Sequence, residues 1–575
     1  MSIHQPIPTQ FQKDGKQYAD GFLTPKNHDS LQVASFAPER VIPVIFLPGI
    51  MGSNLRMTAK RQTQLKKKNN MAWHPDDALE SLAMGGKTPA ERQLQLDPNT
   101  TVVDIYAPQT NPTGNPKESA DDRHGNAKPV ATAQTPLMMD DPCTKPSARK
   151  ATLKARERGW GEVFFGSYGD LLNHLETRLN LAFSEGKLNP EWKDIINIAP
   201  SKWQSADKST LEPLTEQDLK KIVTNCFYPV HAFGYNWLQS NGVGAKEIAK
   251  RINNLVDNYR KKHFMCEKVI IVTHSMGGLV GRALCHPDYG NLQDKILGIV
   301  HGVMPAMGSA AAYRRMRAGF EGGGIGDWVI GNEGTEVTAV LGNAPGGLQL
   351  LPSDAYGNDW LRIATKNGKV LKSLPKQGDP YTEIYSKTDV WWGLLREEWI
   401  NPAGDIKGGI EQTKEYLLIA KEFHQKINTT YHPLSYAHYG CDPKRKAFQN
   451  VIWEVSDRLP IDKLDSLRIA NDNLQGTVQL AAPADNAMAA SHHLYMGVPD
   501  SRFEMRYRAQ IKPPADPGDQ TVPMHSADHQ LKSGKFSGIF RQTGYEHQDS
   551  YKDDHAVAST LYSIVQIARQ MAWPS

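Results

Sequence analysis

The 575-residue chain contains no apolar run of about 18 residues or more, which speaks against a conventional membrane-spanning helix. Its first stretch, MSIHQPIPTQFQKDGKQY, has no apolar core, so no Sec-type signal peptide is expected there. Cysteine is scarce. Cys143, Cys226, Cys266, Cys285 and Cys441 are far apart and form no CxxC pair, which argues against a disulfide framework or a zinc knot and fits folding in a reducing compartment. Charge of one sign is also missing: a net +4 gives no support for nucleic-acid binding. There is no HExxH, and neither His492–His493 nor His438–Cys441 makes a metal-ligand set. The acids at Asp516 and Asp553–Asp554 lack EF-hand spacing, and the glycine run EGGGIGDW (321–328) lacks the strand–helix setting of a phosphate loop. No metal and no cofactor is therefore expected.

What is present is a globular composition, 39% hydrophobic and 22% charged. Residues 1–40 are polar and read as a surface wrap. RVIPVIFLPG (40–49) is a short branched apolar run ending in Pro-Gly, a buried strand. Residues 108–150 form a polar excursion rich in Pro, Asn, Asp, Lys and Thr. Leu171, Leu172, Leu175, Leu179 and Leu181 predict a helix over 168–183, and a second amphipathic helix over 245–263 feeds a strand at 268–273. A further strand follows at 295–309. Strands alternating with helices at this spacing indicate an α/β fold with a mostly parallel sheet covered on both faces. The pattern breaks near residue 304 and resumes at AFQNVIWEV (447–455), RFEMRYRAQI (502–511) and GKFSGIFRQTG (534–544). An amphipathic helix over 551–573 closes the chain. The expected organisation is a core of residues 1–310 and 440–575, with a cap or lid insertion at 311–439.

Four loops carry chemistry. In VIIVTHSMGGLVGRAL (269–284) an apolar strand stops at Ser275 and glycines open a helix, the setting of a nucleophile elbow. The usual G-x-S-x-G is altered, because Thr273 stands in place of the first glycine; it is compact enough that a modest backbone shift would admit it. A serine hydroxyl needs a neighbouring base to attack an ester. The Met276 N–H would face the developing oxyanion. In FLPGIMGSNL (46–55) the loop after an early strand would supply the second donor, the N–H of Ile50 or Met51. Asp519, in DPGDQTVPMHS, sits where a triad acid belongs, with Asp516 and Asp457 as rivals. His547, in TGYEHQDSYKDDH, lies in the loop between the last strand and the last helix, where the base belongs; His555 falls inside that helix. Each loop alone reads equally as an ordinary turn. Their order along the chain, nucleophile, acid, base, is that of the α/β-hydrolases.

The cluster DVWWGLLREEWI (389–400) packs Trp391, Trp392, Leu394, Leu395, Trp399 and Ile400 into a short span, which suits either a lid at a lipid interface or packing of the cap onto the core. LESLAMGG (79–86) is a lesser candidate for interfacial contact.

The motifs VIPVIFLPGIMGSNL, FYPVHAFGYNWLQSN, THSMGG, LLPSDAY, GDQTVP and EHQDSY, in this order, resemble lipases related to lecithin–cholesterol acyltransferase and the GPI inositol-deacylases. The chain is most similar to the bacterial type VI secretion lipase effectors of the deacylase-like kind. That resemblance covers roughly residues 41–56, 227–310, 345–357 and 515–570. It implies an α/β-hydrolase fold, Ser275 as nucleophile, Asp519 as acid, His547 as base, and phospholipase A-type hydrolysis of phospholipid acyl esters. It also implies an antibacterial toxin delivered to a rival cell's periplasm, with a secretion-machinery carrier protein and a cognate immunity protein as partners. Acyl transfer or another lipid deacylation would use the same residues, and a non-catalytic binding module on a hydrolase scaffold is the reading from a different class.

Overall fold

A computed structural model describes the chain apart from residues 1–9, 12–16, 23–30, 37, 108–112, 116, 119–122, 126, 130–150, 185, 207–210, 322–328, 330, 405–408, 460, 483–505 and 575. Most of the excursion at 108–150, the glycine run at 322–328, Cys143 and His492–His493 thus lie outside the described residues.

Six parallel strands form the central sheet. Their order in space is Val230–Ala232, Val44–Leu47, Val269–His274, Ile296–Gly302, Ser435–Gly440 and Phe536–Gln542. Side chains alternate between faces with period two, so one strand feeds two cores. Val44, Phe46, Ile270 and Val272 pack with Leu171, Leu172, Leu175 and Leu179 of the helix Phe165–Asn180 and with the helix Asp554–Ala568. Ile45, Leu47, Val269 and Ile271 pack on the other face with the helices Asn241–Lys261 and Gly277–Cys285. Both faces are buried, which is why these strands read as unbroken apolar runs.

Local chemistry sets the helix ends. The Ser240 hydroxyl accepts from the Gly242 N–H at the start of Asn241–Lys261, and Arg260 and Lys261 lie at its negative end. Asp553 caps the closing helix through the N–H groups of His555 and Ala556. That helix ends at Ala568, earlier than the predicted 573, and is buried almost all round, Ser559, Thr560 and Ser563 included. Its outer side is covered too, with the Trp203 ring tilted against Tyr562 at 5.7 Å between centroids.

Three parts of the organisation differ from expectation. Residues 10–36 include a three-stranded antiparallel sheet, Gln10–Phe11, Gln17–Phe22 and Leu31–Phe36. The strand Ser435–Gly440 belongs to the central sheet, although the sequence placed it at the end of the insertion. The strands Val451–Val455 and Arg506–Ile511, read as a resumption of the core, instead join a second, mixed six-stranded sheet. That sheet runs Val370–Leu374, Leu361–Thr365, Val451–Val455, Arg506–Ile511, Thr477–Ala481, Arg468–Asp472. It draws strands from both sides of Ser435–Gly440, so residues assigned to the core after 440 build a layer together with the insertion. The later excursion is closed at its base, where Asp442–Ala447 pairs antiparallel with Asp516–Gly518.

Candidate active site

Ser275 occupies the corner between the strand Val269–His274 and the helix Gly277–Cys285, with φ of +52°. A left-handed serine costs roughly 1–2 kcal/mol, and such strain clusters at functional positions. Its N–H donates to the Gly302 carbonyl at 2.8 Å, which pins the turn to the neighbouring strand. The turn is tight: a Cβ on Gly277 would lie 2.5 Å from the Leu47 carbonyl oxygen and 2.6 Å from that of Pro48.

Thr273 is fully buried, and its pairing with His301 continues in register to His274–Gly302. From Ile270 to His274 the pairing runs past Thr273 without a break. The space comes from Gly281 on the facing helix, where a Cβ would meet the Thr273 Cγ2 at 3.2 Å. A small residue needed on the strand has in effect been moved to the helix.

The structure brings together the three residues that the loop order picked out. His547 Nε2 lies 2.8 Å from Ser275 Oγ, and His547 Nδ1 lies 2.9 Å from Asp519 Oδ2. All three are buried, at 4%, 8% and 1% exposure for Ser275, His547 and Asp519. Asp519 Oδ1 accepts from the N–H groups of Thr521 and Val522 at 3.1 and 2.7 Å, leaving Oδ2 for the imidazole. Although Asp519 is far along the chain, it sits at the end of the central strand Ser435–Gly440: a Cβ on Gly440 would lie 2.7 Å from the Asp519 Cβ.

The rival residues stand elsewhere. Asp516 accepts from the Asn450 N–H at 3.4 Å, and Asp457 is exposed in a turn of the second layer. His555 lines a cavity of about 560 Å3 together with His174, Arg178, Lys202 and Trp203, which neither Ser275 nor His547 lines.

The loop after Val44–Leu47 lies against the elbow. A Cβ on Gly49 would meet Ser275 Cβ at 3.0 Å, so glycine is needed there for the close approach. Among the described residues the N–H groups of Ile50, Met51 and Met276 donate to no protein group, whereas Gly49 and Gly52 N–H are both used, by Tyr168 Oη and the Gly49 carbonyl. Free, fixed amides beside a serine can stabilise an oxyanion. The loop is held by side chains that the sequence did not single out. The Trp73 indole N–H donates to the Met51 carbonyl at 2.6 Å, with Met51 at φ +60°, and the Tyr235 hydroxyl donates to the Pro48 carbonyl at 2.8 Å.

Three histidines lie buried beside the elbow. Burial pushes His274, His301 and His438 down to about 3, the first and second helped by nearby His547 and Arg282, so all three are neutral at ordinary pH.

The aromatic cluster is interior. Trp391, Trp392, Leu394, Leu395 and Trp399 are 0–4% exposed. Trp391 meets Trp453 edge-on at 5.4 Å and donates to the Leu464 carbonyl, and Trp392 donates to Asp465. The cluster fastens the second layer and presents no apolar face to a lipid surface. In the helix Ala78–Gly85, by contrast, Leu79 and Leu82 are 79% and 54% exposed. Among the described residues no helix is long and apolar enough to cross a membrane, and no group of three or more His, Cys, Asp or Glu side chains could hold a metal.

No protein-family profile and no curated protein matches the sequence. Among solved structures, the chain matches one in the crystal structure of the Tle4-Tli4 complex, with a TM-score of 0.71 and 27% identity over 93% of this chain and 99% of that one. The fold is that of an α/β-hydrolase. The resemblance to type VI lipase effectors carried by the motifs is thus matched by likeness of structure over nearly the whole chain.

Proposed function

We propose that the chain is a serine lipolytic esterase that hydrolyses phospholipid acyl esters, and that it acts as an antibacterial effector of a type VI secretion system. The observation that carries the chemistry is the hydrogen-bonded run Asp519–His547–Ser275 at 2.9 and 2.8 Å. His547 Nε2 takes the Ser275 proton as Oγ attacks the ester carbonyl. The N–H of Met276 and that of Ile50 or Met51 hold the oxyanion. The imidazolium returns its proton to the departing lysolipid alcohol, leaving an acyl-serine. Water, activated by the same imidazole, then releases the fatty acid. Asp519 fixes the tautomer and stabilises the imidazolium.

Similarity to Tle4 supports the effector reading, and its crystallisation in complex with Tli4 supports an immunity protein as partner. The test is Ser275→Ala. The folded variant should release no fatty acid from phospholipid vesicles and should no longer react with a fluorophosphonate; full activity would refute the assignment. Expression directed to the periplasm should harm a bacterium that tolerates the same chain in its cytoplasm. Harm in neither place would count against the toxin.

A further inference from the structure

Gly49, Tyr168, His274 and His547 form one hydrogen-bonded line through the buried floor of the site. The Gly49 N–H donates to Tyr168 Oη at 3.3 Å, Tyr168 Oη lies 3.1 Å from His274 Nδ1, and His274 Nε2 lies 3.0 Å from the His547 carbonyl oxygen. Its two ends fix the direction of every proton. A carbonyl only accepts, so His274 Nε2 carries the hydrogen and Nδ1 bears the lone pair. The Tyr168 hydroxyl therefore donates to Nδ1 and keeps a lone pair for the Gly49 amide. Tyr168 and His274 are each 1% exposed, so neither partner is replaceable by bulk water.

We infer that Tyr168 and His274 are positioning residues that lock the oxyanion loop and the base loop to the nucleophile elbow. Gly49 immediately precedes Ile50 and Met51, whose amides donate to no group among the described residues. His274 immediately precedes Ser275. His547 is gripped from both sides of its backbone, its carbonyl by His274 and its N–H by the Asp519 carbonyl at 2.9 Å. The line thus joins the oxyanion donors to the base through the residue beside the nucleophile. Fixing these groups before reaction lowers the barrier without tightening substrate binding, because small misplacements of reacting groups are costly in rate. A burial role alone would show in stability and not in turnover of the folded enzyme.

The inference rests on the Ser275–His547–Asp519 reading, which Ser275→Ala decides independently. Its own test compares Tyr168→Phe, His274→Leu and His274→Gln in the full chain, on a soluble short-chain ester, with kcat and KM corrected for the folded, fluorophosphonate-reactive fraction. Tyr168→Phe and His274→Leu should each lower kcat by roughly 10- to 100-fold with KM within about twofold. His274→Gln, whose amide can still donate to the His547 carbonyl, should recover part of the loss. Wild-type kcat per folded molecule in Tyr168→Phe and His274→Leu would overturn the inference, as would a His274→Gln no better than His274→Leu. Activity in Ser275→Ala would instead overturn the underlying reading.

Discussion

Asp519 and His547 are joined twice: the imidazole Nδ1 meets the carboxylate Oδ2 at 2.9 Å, and the His547 backbone N–H donates to the Asp519 carbonyl at 2.9 Å. The second bond does not depend on the side chain, so the loops should stay docked when the carboxylate is altered. Asp519→Asn can keep its Oδ1 contacts with Thr521 and Val522, but then turns an N–H toward His547 Nδ1. The imidazole is driven into the tautomer that cannot accept the Ser275 proton. We expect kcat to fall roughly 10^3- to 10^4-fold with the thermal midpoint little changed. A fatty-acid release assay beside a melting curve checks both halves.

The exchange of small residues between strand and helix makes a pairwise prediction. Gly281→Ala should destabilise the protein by about 1–3 kcal/mol, because its methyl meets the buried Thr273 Cγ2. Thr273→Gly also costs stability, but it removes that atom, so the double variant should lose about 1 kcal/mol less than the two single losses together. Urea unfolding of both single variants and the double variant measures it; strict additivity would mean that the two positions do not share the space.

Acid should weaken the fold through its buried histidines. His274, His301 and His438 have values near 3 in the folded state, against an ordinary 6.5. Below pH 6.5 the unfolded chain takes up protons that the folded state refuses, so stability falls as pH falls and continues to fall toward pH 3. Each such group contributes a slope of about 1.4 kcal/mol per pH unit in that window. The urea midpoint should drop between about pH 7 and about pH 5. His438, whose ring nitrogens have no hydrogen-bond partner among the described residues, gives the sharper check: His438→Met should make the dependence shallower.

Interfacial contact and packing separate at two sites. Trp391→Ala should cost about 3–5 kcal/mol by opening a cavity beside Trp453. Leu79→Glu combined with Leu82→Glu should leave stability within about 0.5 kcal/mol, since both side chains are exposed. The same pair should reduce activity on vesicles more than on a soluble ester. Equal loss on both substrates would remove the helix Ala78–Gly85 from any interfacial role.

Much of the site was legible because its signals are local. Each of the loops at 46–55, 269–284, 516–526 and 543–555 follows a strand and carries its residue at the bend, where neighbours within a few positions set the geometry. What was hidden depends on distant partners. SYAHYG (435–440) lacks a branched apolar run, so its place in the central sheet shows only through pairing with Ile296–Gly302 and Phe536–Gln542. Alternation at 506–511 predicts a strand but cannot say which sheet receives it. Tyr168 reads as one residue of an amphipathic helix, and nothing in its spacing reveals a bond to His274, 106 positions away. Trp391 and Trp392 were open to two readings because composition does not record which face a neighbour covers.

The clasp between Asp442–Ala447 and Asp516–Gly518 gives the acid an address independent of what lies beyond it. Gly440 and Asp519 touch across a gap in sequence that holds four strands of another layer. Because the neck is paired to itself, the length of chain between Ala447 and Asp516 can change without moving the loop that carries Asp519, and the carboxylate stays in step with its histidine.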